Sequence, residues 1–415
     1  MAKVMSLVLV DKERVELGEL THDCCKATLP FLGGYKIIDF TIDSLLRANI
    51  KNNIIMSRVI CKSLKEHIND AWQNYKDDVA YLDSIYNVKS SQEEIIHQDW
   101  LDVFLQNIDQ FNQPSIKQVL LLSGEQIHGD YFRQLQQYHT LTRADMTLVV
   151  SEVDIDNASL YHVVELSDSG EVVAIHCHPE EAPSLPSLPS KPNKALVLAG
   201  SMLLNKERLV KAVFSAAKEQ RTGRDFVMDI IVPFLTKTKV SLFNLGGEKN
   251  ESIHWSPIKS IEEYWFTQIH RLSEPSEGSG RDNQLKCFGV RAKNNIEFKD
   301  IGRDSVRLKN SIISSGSKIY GSRVLSSVVG INSILENNAI IYKSVLMGDN
   351  IIGKGCRISN AIIEEGAHIA PYTVIGENIE QDQMKYNITP NGIIIIPKGS
   401  RIGFYPDKVL ELHSI

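Results

Sequence analysis

The sequence lacks any long apolar run, and it is poor in cysteine. No stretch approaches the roughly 18 apolar residues that a membrane-spanning helix requires, so no transmembrane segment is expected. The first apolar run ends at Asp11, which is typical of a strand and not of a signal peptide. Six cysteines are scattered without a Cys-x-x-Cys pair, so the spacing indicates neither a zinc site nor a disulfide framework. A reducing cytoplasm is the predicted location.

The sequence also lacks a strong imbalance of charge. Lysine and arginine number 45, aspartate and glutamate 51, and the formal net charge is -6. This balance favours neither a nucleic acid nor an acidic membrane surface as partner. Hydrophobic residues make up 43% and charged residues 23%, as in ordinary soluble globular proteins. A chain of 415 residues has room for two or three domains with a large core.

Glycine is missing from the loop after the first strand, where a phosphate-binding loop would be expected. The segment LVLVDKERVELGELT (7–21) has no glycine before Gly18, and ahead of that glycine it carries three acids, Asp11, Glu13 and Glu16. Glycines allow backbone N–H groups to approach phosphate oxygens closely. A like charge at about 4 Å costs about 1 to 4 kcal/mol in surroundings between water and a protein surface. This loop is therefore poorly suited to a triphosphate.

Residues 1–272 are predicted to form one α/β domain. Short apolar runs such as MSLVLV, NNIIM, VLLLS and MTLVVS alternate with helical patterns such as TIDSLLRANI and CKSLKEHINDAW. This alternation predicts a mostly parallel sheet covered by helices. Such sheets place ligands beyond the carboxyl ends of their strands. The opening loop follows one strand in this way, and Ser123-Gly124-Glu125 follows another.

The period of the sequence changes after residues 273–286, a polar segment that is predicted to be a linker. From there aliphatic residues recur every six positions, in runs that begin at Ile313, Ile334 and Ile363, with slips of phase between them. A six-residue repeat predicts a parallel β-helix, here over residues 287–385, with a β-sandwich as the alternative. Residues 386–415, which contain NGIIIIPKGSRIG, are predicted to add a final strand or cap.

Segments along the whole chain resemble the glucose-1-phosphate adenylyltransferases, or ADP-glucose pyrophosphorylases, among the sugar-nucleotide pyrophosphorylases. The segments that carry the resemblance are KATLPFLGGYKIIDFTIDSLLRANI (26–50), SLKEHI (63–68), LLSGEQIHGDY (121–131), IEEYWFTQI (261–269) and GKGCRISNAIIEEGAHIAPYTVIGEN (353–378). The resemblance implies a Rossmann-like nucleotidyltransferase domain followed by a left-handed β-helix. It also implies a reaction that uses Mg²⁺ to make ADP-glucose and pyrophosphate from ATP and glucose 1-phosphate.

The positions that match the functional residues of this family are nearly all altered. In the nucleotide loop the family's glycine pair falls on Asp11 and Lys12, its Gly-Thr-Arg on Arg14, Val15 and Glu16, and its later arginine on Cys24, while its lysine is retained as Lys26. The family's two metal-binding aspartates fall on Glu125 and Pro257, and proline offers no side-chain oxygen. The sugar-phosphate residues, Glu, Lys and Ser, fall on Cys177, His178 and Leu198.

These substitutions predict that the chain keeps the family's fold without its chemistry. No catalytic residue, metal ligand set or cofactor of its own is expected, and Mg²⁺ is expected only in a catalytic partner. The chain resembles the non-catalytic, GlgD-type regulatory subunit of bacterial ADP-glucose pyrophosphorylase. That resemblance implies a pseudoenzyme of glycogen biosynthesis that assembles with a catalytic paralogue, as a heterotetramer, and tunes its activity allosterically.

Two alternatives stay open at this point. The first is an active sugar-phosphate nucleotidyltransferase with a rebuilt site. The second belongs to another class, a β-helix acyltransferase, because that fold can use a histidine as base and His368 lies within the repeat.

Overall fold

A computed structural model describes residues 3–11, 17–22, 24–58, 61–82, 99–177, 188, 191–219, 225–246, 255–273 and 295–403. Its contacts divide the chain into two units. The first comprises residues 1–14, 24–28 and 37–257, and the second comprises 15–23, 29–36 and 258–415. No helix in the described part of the chain combines the length and the apolar character that crossing a bilayer requires.

The elements as far as residue 256 are short and mostly alternate. The strands are β1 (Val4–Val10), β2 (Pro30–Phe31), β3 (Tyr35–Lys36), β4 (Asn52–Ser57), β5 (Val79–Leu82), β6 (Gln118–Ser123), β7 (Ile127–His128), β8 (Met146–Asp154), β9 (His162–Leu166), β10 (Val172–Cys177), β11 (Lys194–Asn205), β12 (Val240–Asn244) and β13 (Trp255–Ser256). The helices are α1 (Ile37–Arg47), α2 (Lys62–Ala71), α3 (Trp100–Gln106), α4 (Ile108–Phe111), α5 (Phe132–Thr142) and α6 (Lys206–Lys218). Single 3-10 turns and one π-helix, Val227–Ile231, lie between them.

The first unit is built on a nine-stranded sheet. Its main path runs β10-β9-β11-β6-β1-β4-β5, with β8 beside β11 and β12 beside β8. Strands β6, β1, β4 and β5 are parallel, as is the pair β8 and β12, whereas β11 is antiparallel to each of its neighbours. The predicted α/β class is thus confirmed, with a sheet that is mixed. Strand β1 is central and buried, as its run of aliphatic residues requires.

The second unit holds helix α7 (Ile261–Ser273), α8 (Ile379–Gln383) and a stack of short strands. These are β14 (Glu297–Lys299), β15 (Arg307–Lys309), β16 (Ile312–Ile313), β17 (Lys318–Tyr320), β18 (Arg323–Leu325), β19 (Val328–Val329), β20 (Ile334–Leu335), β21 (Ile340–Tyr342), β22 (Val345–Leu346), β23 (Ile351–Ile352), β24 (Arg357–Ser359), β25 (Ala361–Ile363), β26 (His368–Ile369), β27 (Val374–Ile375), β28 (Asn387–Ile388), β29 (Ile394–Ile396) and β30 (Arg401–Ile402). They form three sheets, β14-β17-β20-β23-β26-β30, β15-β18-β21-β24-β27 and β16-β19-β22-β25-β29-β28, parallel throughout except at β28 and β29. The predicted β-helix is confirmed.

The early coils advance by 16 residues, as from Arg307 to Arg323, and the central coils advance by 17, which explains the slips of phase in the sequence. Val324, Ile341, Ile358 and Ile375 stack on one face, each paired with the next. Because 17 is one short of three times six, one side of each central coil has only five residues. The inward residues therefore depart from a strict period of six. Ile331, expected to point inward, is 39% exposed, and Val329 is buried in its place.

Helix α7 belongs to the second unit by its contacts. The Tyr264 hydroxyl donates to the carbonyl of Pro30, and Leu32 N donates to Gln268 Oε1 at 2.9 Å. Trp265 Nε1 donates to the carbonyl of Lys343 at 3.0 Å. The predicted boundaries at residues 272, 286 and 385 stay predictions, and the linker beyond Ser273 lies outside the described residues.

Candidate functional site

The carboxyl ends of three parallel strands bring together residues that are far apart in the sequence. Leu9 of β1 pairs with Ser123 of β6, and Val10 pairs with Ser57 of β4. Parallel strands end at the same edge of a sheet, so Asp11 and Glu125 meet there. The backbone N–H of Asp11 donates to Glu125 Oε1 at 3.0 Å. The sequence correctly placed both residues at this edge.

The Asp11 side chain is held by two residues that the sequence did not indicate. Arg58 Nε and Nη2 both donate to Asp11 Oδ1, at 2.8 and 2.5 Å. Trp100 Nε1 donates to Asp11 Oδ2 at 3.3 Å, and the Arg58 guanidinium lies 5.5 Å from the centre of a Trp100 ring. We call Asp11, Arg58, Trp100 and Glu125 the strand-end cluster. It directs the Asp11 carboxylate to the end of the central strand.

Hydrogen bonds hold both the backbone and the side chain of Glu125. Its backbone N–H donates to Ser123 Oγ at 3.2 Å, and its carboxylate accepts the Asp11 N–H. The residue before it must be glycine, because a Cβ at Gly124 would lie 2.9 Å from Val8 Cγ1 and 3.0 Å from Val10 Cγ2. A hydrogen bond from a backbone N–H to an ionised carboxylate contributes about 1.5 to 3 kcal/mol. Glu125 therefore serves as a structural acceptor in this chain.

The residues at the two former metal positions do not suit a magnesium ion. Strand β13 pairs antiparallel with β7, with Ser256 opposite Ile127, which brings Pro257 to the segment that follows Glu125. Trp255 Nε1 donates to Gln126 Oε1 at 2.8 Å across this pair. Mg²⁺ requires near-octahedral oxygen ligands at about 2.0 to 2.1 Å. Of the two positions only Glu125 offers an oxygen, and that carboxylate already binds a backbone N–H.

A buried histidine supports the same strand end. His128 Nε2 lies 2.9 Å from the Ser123 carbonyl, and Nδ1 lies 2.9 Å from the Tyr131 hydroxyl, which in turn lies 2.9 Å from Ser201 Oγ. A carbonyl only accepts, so the neutral ring carries its proton on Nε2 and accepts from Tyr131 at Nδ1. Burial lowers the pKa of His128 to about 4, against a smaller opposing effect of the bond to Ser123. The ring is neutral at physiological pH.

The retained Lys26 lies in a short 3-10 turn, Lys26–Thr28, and is buried. Its neighbour Cys24 is half-buried. Cys25 Sγ lies 2.6 Å from Cys61 Sγ, a proximity that the scattered spacing in the sequence did not reveal. The hydrogen bond with Cys25 lowers the pKa of the Cys61 thiol to about 6, while the same bond and burial raise the pKa of Cys25.

Of the predicted sugar-phosphate positions, Leu198 and Cys177 lie among the described residues. Leu198 is buried in the hydrophobic core, where it pairs with Val150 across β11 and β8. Cys177 ends β10 and is exposed. His178 and the loop residues Lys12, Arg14, Val15 and Glu16 lie outside the described residues.

Comparisons with known proteins match nearly the whole length of the chain. The family model "Nucleotidyl transferase" matches residues 16–271, and "GlmU-like, C-terminal hexapeptide" matches residues 296–396. The glucose-1-phosphate adenylyltransferase of Photobacterium profundum is 29% identical over 410 residues, which are 97% of this chain and 100% of that protein.

Two further relatives carry the same name. The glucose-1-phosphate adenylyltransferase of Aliivibrio fischeri is 28% identical over 411 residues, which cover 97% of this chain and all of that protein. That of Thiobacillus denitrificans is 27% identical over 398 residues, which cover 95% of this chain and 90% of that protein. The nucleotidyl transferase model matches more than half of the residues of this chain, so the chain belongs to the nucleotidyl transferase family.

Proposed function

We propose that this chain is a non-catalytic, regulatory subunit of an ADP-glucose pyrophosphorylase. It assembles with a catalytic paralogue that makes ADP-glucose and pyrophosphate from ATP and glucose 1-phosphate. The full-length similarity to glucose-1-phosphate adenylyltransferases supports the choice of reaction and partner. A fold alone does not specify a function, so the case for the regulatory role depends on the site.

The strand-end cluster is the observation that carries the proposal. Asp11 stands where the resemblance expects the first loop glycine, and its carboxylate is paired with Arg58. An incoming triphosphate would meet this carboxylate, and it would have to compete with it for the guanidinium. Catalysis of phosphoryl and nucleotidyl transfer depends on cationic groups and metal ions that are free to neutralise developing charge. In the strand-end cluster the Arg58 cation is already paired with the Asp11 carboxylate of the same chain.

The loss of Mg²⁺ ligands supports the same conclusion independently. Pro257 removes one carboxylate outright, and the other position, Glu125, accepts the N–H of Asp11. Mg²⁺ is therefore expected to act in the catalytic partner and not in this chain. The substitution of a buried leucine, Leu198, for a sugar-contacting serine also leaves one fewer polar group for glucose 1-phosphate.

The regulatory effect would arise from preferential binding to one conformation of the partner. A subunit that binds the active state of its partner more tightly than the inactive state shifts the population toward the active one. Couplings of this kind are typically worth about 1 to 3 kcal/mol, or about 5- to 150-fold in an equilibrium constant. A heterotetramer is the proposed assembly, as the resemblance implies.

The test compares three samples with ATP, glucose 1-phosphate and Mg²⁺: this chain alone, its catalytic paralogue alone, and the two co-expressed and co-purified. We expect ADP-glucose formation to be at background for this chain and to change several-fold between the paralogue and the complex. The mass of the complex, measured by light scattering, reports the subunit number. Turnover by this chain alone at a rate near that of the paralogue would favour the rebuilt-site alternative.

A substitution separates the two possibilities. Under our proposal, replacing Glu125 with glutamine leaves this chain at background when it is assayed alone, and it changes the rate of the complex by less than about twofold, because Glu125 has no part in the chemistry. In a rebuilt active site, the same loss of an electrostatic group should lower the kcat of this chain alone by on the order of 10²- to 10³-fold. The corresponding substitution in the paralogue is the positive control.

A further inference from the structure

A histidine and a cysteine face each other at one end of the sheet of the first unit. His162, the first residue of β9, pairs directly with Cys177, the last residue of β10. Directly opposed residues in an antiparallel pair project from the same face, with Cβ atoms about 4.5 to 5.5 Å apart. The pairing therefore directs an imidazole and a thiol to the same side of the sheet.

Asp225 completes a group of three potential ligands. Its Oδ2 lies 3.0 Å from His162 Nε2 and 3.3 Å from Cys177 Sγ, and the three ligand atoms all lie within 4.8 Å of one another. The other carboxylate oxygen, Oδ1, accepts the backbone N–H groups of Val227 and Met228 at 2.9 and 3.0 Å. These bonds orient the carboxylate, as the outer contacts of metal ligands commonly do.

We propose that His162, Cys177 and Asp225 bind one Zn²⁺ ion, and we call them the His-Cys-Asp site. Imidazole, thiolate and carboxylate are the three ligand types that zinc takes in proteins, whereas Mg²⁺ and Ca²⁺ prefer oxygen ligands alone. Zinc bond lengths of about 2.0 to 2.3 Å in a tetrahedron separate neighbouring ligands by about 3.3 to 3.8 Å. The two distances to Asp225 Oδ2 are already close to this range, so small side-chain rotations suffice.

The charges of the three groups also suit a divalent cation. A thiolate at Cys177 and a carboxylate at Asp225 together neutralise Zn²⁺. Binding would release the Cys177 proton, as metal binding to a thiol requires. Cys177 is exposed and the other two are partly exposed, so an ion can reach them.

The site accounts for a substitution that the resemblance leaves unexplained. Cys177 occupies the position of the family's sugar-binding glutamate, where a thiol has no evident value for a sugar hydroxyl. Three protein ligands leave a fourth position on a tetrahedral ion for water or for an oxygen of a bound ligand. Sequence spacing did not indicate the site, because Asp225 lies 63 residues from His162 and 48 from Cys177. The inference does not depend on the proposed regulatory function.

The experiment is a metal titration of the full chain after treatment with a chelator. We expect calorimetry to find one Zn²⁺ per chain, and Co²⁺ to give the near-ultraviolet sulfur-to-cobalt band and the visible bands of a tetrahedral site. Cys177→Ser should abolish the sulfur-to-cobalt band. Loss of a residue that only contacts a metal ligand weakens metal binding by about 10- to 100-fold. His162→Gln and Asp225→Asn each remove a ligand itself, so each should weaken Zn²⁺ binding by more than that. Zn²⁺ should also protect Cys177 from alkylation.

Two variants serve as matched controls. His176→Gln removes the histidine next to Cys177; the His176 ring is paired with Glu165 and is not part of the proposed site. Cys24→Ser removes another thiol that is not fully buried. Both should bind Zn²⁺ as the wild type does. Circular dichroism and thermal unfolding check that each variant is folded. Absence of stoichiometric binding to the wild type, or an unchanged cobalt spectrum in folded Cys177→Ser, would overturn the proposal.

Discussion

The β-helix of the second unit and the strand-end cluster of the first unit are built from contacts of different kinds. In the β-helix the strands of each central coil pair with those of the coils before and after it, and Ile341 pairs with Val324 and Ile358, each 17 residues away. In the strand-end cluster Asp11 contacts Arg58, Trp100 and Glu125, which lie 47, 89 and 114 residues away. A stacked repeat has a nearly one-dimensional pattern of contacts, so its period is visible in the sequence.

The comparison explains which changes each region tolerates. The β-helix repeats the same coil, so many of its residues have equivalent surroundings. The positions that tolerate the least added volume are those where a corner of one coil approaches the adjacent coil. The strand-end cluster has no repeat, and each member is held by a different partner. We therefore expect steric changes to have the largest effects in the β-helix and changes of charge to dominate in the cluster.

The largest effect is expected at a β-helix corner, from Gly376→Ala. Gly376 has φ of +85°, and an added Cβ would lie 1.9 Å from the carbonyl oxygen of Ser359. A left-handed conformation costs a non-glycine residue about 1 to 2 kcal/mol, and forcing an atom into packed surroundings adds about 1 to 3 kcal/mol. We expect a loss of about 3 kcal/mol or more, measured as a lower unfolding midpoint in thermal and urea melts.

Gly399→Ala is the matched control for this change. Gly399 also has positive φ, +66°, but no heavy atom of the described residues lies within 4 Å of its added Cβ. It should cost only the conformational term of about 1 to 2 kcal/mol. Equal losses for the two variants would show that close approach between coils does not limit the β-helix.

The next largest effect is expected from acid, because protonation of His128 should lower the free energy of unfolding of the first unit. Its pKa is about 4 in the folded chain and about 6.5 in the unfolded chain. Between these pH values His128 is protonated in the unfolded chain but not in the folded chain. The free energy of unfolding is therefore highest above about pH 6.5, and it falls as the pH decreases toward 4. At about pH 5 the expected loss is about 2 kcal/mol relative to about pH 7.5. Urea unfolding followed by tryptophan fluorescence measures it.

The His128→Gln variant should show a shallower dependence on pH than the wild type. His176→Gln, which alters a partly exposed histidine paired with Glu165, should keep the wild-type slope. If His128→Gln loses as much stability between the two pH values as the wild type does, then protonation of His128 is not the cause.

Much of the fold could be predicted because its signals are local. The six-residue period predicted the β-helix, and the positions of Asp11 and Glu125 directly after two apolar runs placed them at one edge of the sheet, whereas the boundary near residue 273 stays a prediction. The exact inward residues were predicted less well, since Val329 and not Ile331 faces the core. A coil of 17 residues cannot keep a strict period of six, and a single coil does not reveal which side is short.

The site could be predicted only where it follows a strand. Arg58 and Trp100 are unremarkable in the sequence, and their relation to Asp11 exists only after β1, β4 and α3 have been assembled. The same is true of Cys25 with Cys61, which lie 36 residues apart but share a hydrogen bond. Pairing across the sheet likewise creates the proximity of His162 and Cys177. These relations depend on tertiary packing, and no local pattern encodes them.

A smaller effect is expected from removing the charge of Asp11. Asp11→Asn keeps an oxygen that can accept from Arg58, but it removes the negative charge of Asp11 beside the partly buried guanidinium. We expect a loss of about 1 kcal/mol in unfolding free energy, at the lower end of the cost of a poorly satisfied polar group. Urea melts followed by tryptophan fluorescence measure it, because Trp100 contacts Asp11 directly.

Asp154→Asn is the control for the Asp11 variant. Asp154 also forms a short ion pair, with Lys194 at 2.7 Å, but the Asp154 side chain is 64% exposed and that of Lys194 is 39% exposed. Exposed ion pairs contribute about 0 to 1 kcal/mol and weaken in salt, so this variant should differ from the wild type by less than the Asp11 variant does. The reverse order of effects would indicate that the strand-end cluster is no more than a surface ion pair.

The smallest effect is expected from restoring one metal ligand, in Pro257→Asp. ADP-glucose formation with ATP, glucose 1-phosphate and Mg²⁺ should stay at background, because the new carboxylate would join a Glu125 that still accepts the Asp11 N–H. A single electrostatic group is worth about 10² to 10³ in rate, which cannot compensate for a loop without glycines. The reciprocal Asp-to-Pro substitution in the catalytic paralogue should abolish its activity. Mg²⁺-dependent turnover by Pro257→Asp would mean that the strand-end cluster opens to admit substrate and that a single residue separates this chain from an enzyme.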